Sequence, residues 1–224
     1  MPKPPQLELP SYDTPEHQSH SFELDPNVGD YSYVLKKWAI SKIKQSMDGI
    51  ERRARLADIY EENIRIEITA STSIIANVSF STVHKSPHHP DGAYRQYTYL
   101  FNRSTNTLSD LRHLFSDSDM AGKALRDVFI DRVATLRADK FDVEISQEGL
   151  RTDTDGRLPD DVFELNVNLS DPTSQAEFSG ITVSVSDRPQ FNYLDRTAYA
   201  IDIDPSEFFE FLKPECQSLF PDPS

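Results

Sequence analysis

Between residues 64 and 81 the hydrophobic pattern has a period of two. Ile64, Ile66 and Ile68 alternate with Arg65, Glu67 and Thr69, and Ile74, Ala76, Val78 and Phe80 alternate with Ile75, Asn77, Ser79 and Ser81. Successive side chains of a strand point to opposite faces, so this pattern predicts two half-buried strands joined as a hairpin through Ser71–Ser73. From Ser118 to Arg137 the period changes. Ala121, Ala124, Leu125, Val128, Phe129, Val133 and Leu136 recur at helical spacing, which predicts a long helix with that face in a core. Strands in runs followed by helices predict an α+β fold, with antiparallel sheets packed against a few helices and no doubly wound parallel sheet.

The remaining signals fill in this outline. Residues 1–29 hold six prolines and read as a Pro-rich leader or edge segment, with one edge strand around Ser21–Leu24. Asp30 is the expected N-cap of a helix carrying Val34, Leu35, Trp38, Ile43 and Met47 inward and Lys36, Lys37, Lys42 and Lys44 outward; Gly49 marks its end, or Ile50–Ala57 resumes it. Lys85–Gly92 reads as a loop, Tyr94–Asn102 as an aromatic strand, and Arg103–Asn106 as a polar turn. Ser109 is the expected cap of a short helical turn holding Leu111, Leu114 and Phe115. Leu150–Pro159 reads as a charged turn region, and Phe163–Leu169, Gly180–Ser186 and Tyr199–Ile203 as strands. Asp204-Pro205 launches a last helix. The organisation expected is a leader over 1–29, a helix plus antiparallel sheet over 30–110, and an acidic α+β unit over 111–224 packed as one body with the part before it.

Charge narrows the classes of partner. The chain carries a net charge of −14, and residues 106–224, with 11 basic and 24 acidic side chains, hold nearly all of it. Such a field repels phosphate backbones and anionic membranes and favours basic proteins or cations; solubility alone is the other reading of it. No nucleic-acid role is expected, and no apolar run of 18 residues is present to span a membrane. No basic and apolar opening marks a secretory signal, which leaves the cytoplasm open as a location.

Motifs for chemistry are weak, and no catalytic residue, cofactor or metal is expected. His88-His89-Pro90-Asp91-Gly92 is the one histidine cluster, yet adjacent histidines point apart and Cys216 is the single cysteine, so zinc ligation has no converging set. No Gly-x-Ser-x-Gly elbow is present; Ser179-Gly180 lacks the upstream glycine. Asp153-Thr154-Asp155-Gly156 has part of a calcium-loop pattern, but Arg151 and Val162 stand where ligands belong. The Asn77, Asn102 and Asn168 sequons matter only in a eukaryotic secretory host.

The order of motifs is more telling. A long helix with strands behind it leads to a His-Pro loop and Tyr97-Thr98-Tyr99-Leu100-Phe101-Asn102. Leu108-Ser109-Asp110-Leu111 with Leu114-Phe115 follow, then the long helix, Leu158-Pro159-Asp160-Asp161-Val162-Phe163 and Gly180-Ile181-Thr182-Val183-Ser184-Val185. Over about residues 20–213 this resembles the RsiV-like family, which includes secreted mycobacterial immunogenic antigens and the sensor domains of lysozyme-binding anti-sigma factors. The resemblance implies an exported or envelope-associated protein, and for some members recognition of lysozyme, a basic protein. Other members have been labelled esterases, but none of their nucleophile motifs carries onto a residue here.

The expectation is therefore a non-enzymatic binding domain that presents its acidic half to a basic, lysozyme-like partner. Asp153, Asp155, Asp160 and Asp161 are the candidate steering charges, and Phe191 and Tyr193 the candidate aromatic anchors. A weak esterase and a cytosolic regulatory interaction protein are the alternatives.

Overall fold

The computed structural model describes residues 19–54, 61–86, 89–141, 146–185 and 198–223. Two sheets make up the protein, with one apolar cluster between the first sheet and its helix and a larger one that draws on both sheets. The first is a five-stranded sheet in the order β1-β2-β3-β4-β5, built from β1 (Ser19–Leu24), β2 (Glu61–Ser71), β3 (Ile75–Ser86), β4 (His89–Asn102) and β5 (Thr107–Asp110). All its pairings are antiparallel except β1 with β2, which run parallel because α1 (Pro26–Tyr31) and α2 (Tyr33–Ala54) carry the chain back between them.

Local chemistry sets these boundaries. Asp25, not Asp30, is the first N-cap: its Oδ1 accepts from Asn27 N at 2.9 Å, and Pro26 supplies a preset φ at the first helical position. The helix then breaks at Ser32, which is extended, and α2 continues through Gly49 to Ala54. Leu35, Ala39 and Ile43 of α2 pack on Ile64, Ile66, Ala76, Val78, Phe80 and Phe101, the period-two apolar face of the sheet. Trp38 meets Tyr99 edge-on at 5.2 Å on the same face.

The expected hairpin over residues 71–73 is present, although Ile74, assigned inward, is 44% exposed and Ile75 is buried instead. The expected loop over 85–92 is instead strand on both sides of positions 87–88, which lie outside the described residues. The register shift between His84 and Ser86 absorbs the extra residues as a bulge, and Pro90 sits in β4, a strand that β5 flanks only from Tyr99 onward. Asp110, not Ser109, caps the 3-10 turn Leu111–Leu114.

The second system is a three-stranded antiparallel sheet, β6 (Asn166–Leu169), β7 (Ile181–Val185) and β8 (Tyr199–Ile203), covered by α3 (Ser118–Phe141). Leu125, Phe129, Ile130 and Val133 of α3 join Val167, Ile181, Val183, Ile201 and Phe208 in the larger cluster. Gly122 lets α3 close on the 3-10 turn Val162–Glu164; a Cβ there would stand 3.2 Å from the Phe163 ring. Gly180 lets β7 start against β8, because a Cβ would lie 2.2 Å from the carbonyl oxygen of Ile203. The charged turn expected over 150–159 is largely helix α4 (Gln147–Asp155), capped by Ser146 Oγ accepting from Gly149 N at 3.1 Å. After Asp204-Pro205 the chain makes two 3-10 turns and the short α5 (Pro214–Gln217) rather than one continuous helix. Among the described residues, no helix is long and apolar enough to cross a membrane.

The two systems meet chiefly through β6, which lies against the second face of the first sheet, where Ala70, Ile75 and Leu100 join the larger cluster beside polar residues. Asn77 is fully buried there. Its Nδ2 donates to Asn168 Oδ1 at 3.0 Å and also to Thr69 Oγ1, its Oδ1 accepts from Leu169 N at 3.2 Å, and Thr98 Oγ1 donates to the same Asn168 oxygen at 3.1 Å.

Candidate interaction surface

The acidic half is organised by arginines. Two residues apart on α4, Asp153 and Asp155 face different sides of the helix, and each meets a different arginine of α3. Asp155 Oδ1 accepts from Arg126 Nη1 at 2.5 Å, and the same guanidinium donates to the carbonyls of Asp155 and Pro159. Asp153 Oδ2 accepts from Arg137 Nη2 at 2.8 Å, while its Oδ1 accepts from Arg157 Nε at 2.8 Å. Burial pushes the Asp153 carboxyl up, but the hydrogen bonds from Arg157 and Arg137 outweigh it and hold it below the ordinary carboxylate range.

Arg137 is 1% exposed and is the largest fully buried side chain described. Besides Asp153 it donates to Thr154 Oγ1 at 2.8 Å, and Thr154 in turn donates to Leu150 O at 2.8 Å. The helical pattern ends its apolar face at Leu136, yet Leu136 is 46% exposed and Arg137 takes the inward position one residue on. The signal available in the sequence was the facing supply of partners, Asp153 and Thr154 on one short capped helix.

Asp161 also works locally. Its Oδ1 accepts from Phe163 N at 2.9 Å to cap the 3-10 turn, and its Oδ2 meets Arg112 Nη2 at 2.5 Å, with that guanidinium 5.3 Å above the Phe163 ring. Asp160 is exposed beside it. Phe191 and Tyr193 lie outside the described residues. Three of the four candidate carboxylates therefore hold arginines in place, and the arrangement Asp153-Thr154-Asp155-Gly156 is helix rather than a cation loop. Among the described residues, no group of three His, Cys, Asp or Glu side chains is placed to hold a metal ion.

Ion pairing continues through the acidic half. Arg151 Nε donates to Asp131 Oδ1 at 2.6 Å, and Arg132 bridges the Asp202 carbonyl and Glu207 Oε1. Among the described residues of this half, arginines Arg112, Arg126, Arg132, Arg137, Arg151 and Arg157 thus pair with Asp127, Asp131, Asp153, Asp155, Asp161 and Glu207. The charge excess falls elsewhere. From Tyr199 to Pro223 there are six carboxylates, Asp202, Asp204, Glu207, Glu210, Glu215 and Asp222, against the single Lys213, and all six are exposed. The Asp204 carboxyl is held low by the backbone N–H and hydroxyl of Ser206. Sequence reasoning passed over this stretch because its acids are interleaved with the apolar residues of a strand and two 3-10 turns.

Clefts formed by the described residues include a small and a larger one. A small one of about 80 Å³, room for a few waters, lies between β4 and the 162–164 turn and is lined by Tyr97, Tyr99, Arg112 and Phe163. A larger open groove of about 520 Å³ lies beside α1 and the end of β2.

No family model and no curated protein sequence matches the chain. Among solved structures it is similar to a DUF3298 family protein from Bacteroides fragilis NCTC 9343, at 15% identity and a TM-score of 0.48, over 87% of this chain and 73% of that one. It is also similar to a DUF3298 family protein from Pseudomonas aeruginosa PAO1, at 12% identity and a TM-score of 0.45, over 72% of this chain and 65% of that one, less than two thirds of its length.

Proposed function

We propose that this protein is a non-enzymatic binding domain of the cell envelope or exterior that recognises a basic protein of the lysozyme kind through its acidic C-terminal half. The observation that carries this is the separation of charge into two parts. Asp153, Asp155 and Asp161 are matched to arginines and stiffen the scaffold, and Glu207 pairs with Arg132, whereas Asp160, Glu210, Glu215 and Asp222 are exposed carboxylates, the last three in a stretch whose one basic residue is Lys213. Rim charges of this kind raise the association rate and fix orientation, and their effect is screened over about 8–10 Å at physiological salt.

The test is calorimetric titration of the chain with a panel of lysozymes at low and physiological ionic strength. Two variant sets run beside the wild type: one changes Asp160, Glu210, Glu215 and Asp222 to amides, the other Asp153 and Asp155. Saturable, salt-sensitive binding that the first set weakens is the expected result. Loss confined to the second set, tracking loss of stability, would show that the scaffold and not the outward charge matters. No heat at either salt removes the lysozyme reading.

A further inference from the structure

The parallel pairing of β1 with β2 stops at Leu24 opposite Ile66, and the chain turns away through Asp25 into α1. Asp25 itself ends the pairing: its N–H donates to Ile66 O at 2.9 Å, and its Oδ2 accepts from Ile68 N at 3.3 Å in the place where the next strand residue would bond. Beyond that point, among the described residues, no strand runs along the outer edge of Ile68–Ser71. The β2–β3 register shifts between Ile68 and Ala70, an irregularity of the bulge kind that bends a strand locally. The groove of about 520 Å³ lies on this edge. It is lined by Ile68–Ser71 of β2, by Asn27, Asp30 and Tyr31 of α1, and by Arg103, Asp171 and Pro172.

The walls are already set. The Tyr31 hydroxyl donates to Thr72 O at 3.1 Å, the Tyr31 ring meets Phe101 edge-on at 6.2 Å, and Arg103 lies 5.2 Å above that ring. Arg103 N donates to Ile74 O at 2.7 Å, and Ser73 N donates to Gln175 O at 2.9 Å, which ties the 171–175 turn of the second half to the hairpin tip of the first. Two carboxylates, Asp30 and Asp171, line the groove together with one guanidinium, Arg103, which lies over an aromatic face.

From this geometry we infer that the groove is a docking slot for an extended, basic segment of a protein partner. The segment adds a short strand to the Ile68–Ser71 edge in line with β1 and sets a lysine or arginine side chain between Asp30 and Asp171. Main-chain bonds to an open edge give such an addition its affinity, and the flanking carboxylates select the charge of the incoming side chain. The inference rests on the basic-partner reading and adds a place and a mode of contact to it.

The test uses the full chain, labelled with 15N, titrated with the capped peptide Lys-Val-Lys-Val-Lys, with Gln-Val-Gln-Val-Gln and with a copy of the lysine peptide N-methylated at alternate residues. Shifts concentrated at the amides of 27–31 and 68–71, loss of binding for the uncharged and N-methylated peptides, and weakening by about tenfold in D30N/D171N are expected. Both substituted carboxylates are exposed, so the variant's unchanged spectrum elsewhere serves as the folding control. Shifts confined to the 199–223 stretch would overturn the slot and leave the basic-partner reading standing. Binding unaffected by N-methylation would overturn the strand addition. Absence of binding by this peptide together with absence of lysozyme binding would remove both.

Discussion

Asn77 of β3 and Asn168 of β6 are 91 residues apart in sequence and share a side-chain hydrogen bond of 3.0 Å across the two sheets. Asn77 also accepts from the Leu169 N–H, so its removal orphans a buried backbone donor as well as an amide partner. Replacing Asn77 with Ala should lower stability by about 2–3 kcal/mol, and Asn168, half-buried, by less. Urea midpoints of the two single variants and the double variant measure this. Coupling near zero between the two sites would show that the contact does not join the sheets.

Arg137 and Asp153 are unequal partners. Asp153 keeps solvent contact and a second arginine, while Arg137 is enclosed and has Asp153 as one of its charge partners. Asp153→Ala should therefore cost about 3 kcal/mol, against about 0.5–1 kcal/mol for removing an exposed partner such as Asp131. Chemical denaturation of both variants checks the ordering; equal losses would contradict the burial asymmetry.

Acid should expose the same pair. The folded-state carboxyls of Asp153 and Asp204 lie below their unfolded value near 3.9, so their stabilisation is complete above that value and is lost as pH falls through the lower folded ones. The urea midpoint of the wild type should fall below about pH 4 on their account, and Asp153→Asn should fall less steeply over the same interval. Parallel curves for the two proteins from pH 2 to 6 would refute the assignment.

Gly180 and Gly156 make a matched contrast. A Cβ at Gly180 would strike the Ile203 carbonyl at 2.2 Å, so Gly180→Ala should separate β7 from β8 and cost more than about 2 kcal/mol. At Gly156 the backbone is right-handed helical and the nearest atom is 3.4 Å away, so alanine there should be neutral or stabilise by up to about 1 kcal/mol. Thermal unfolding of the two variants reads the difference directly.

Much of the first sheet was legible because Ile64, Ile66, Val78 and Phe80 follow the period of a strand and meet one helix. The same pattern misread the opposite face. Asn77, Ser79 and Ser81 alternate as solvent-facing residues should, yet all three are buried. Alternation records polarity and not cover, and Asn77's cover comes from β6, almost a hundred residues later. The α4 helix was hidden because Gln147–Asp155 contains one strongly apolar residue, Leu150, and owes its inward face to Thr154 and Arg137 rather than to a hydrophobic stripe. For the candidate carboxylates the residue types were readable but most of their pairing was not, since Arg126 and Arg137 come from α3 and Arg112 from the 111–114 turn, brought near by the fold.

The division into two apolar clusters also bears on the order of synthesis. Everything that packs around α2 lies between Phe22 and Leu108, so the first sheet and its helix can close while the second half is still being made. Until Asn168 and Leu169 arrive, the amide of Asn77 has Thr69 within its own sheet and otherwise water on an uncovered face. Docking of β6 replaces that water, so the buried asparagine registers whether the second half has arrived in its correct strand register.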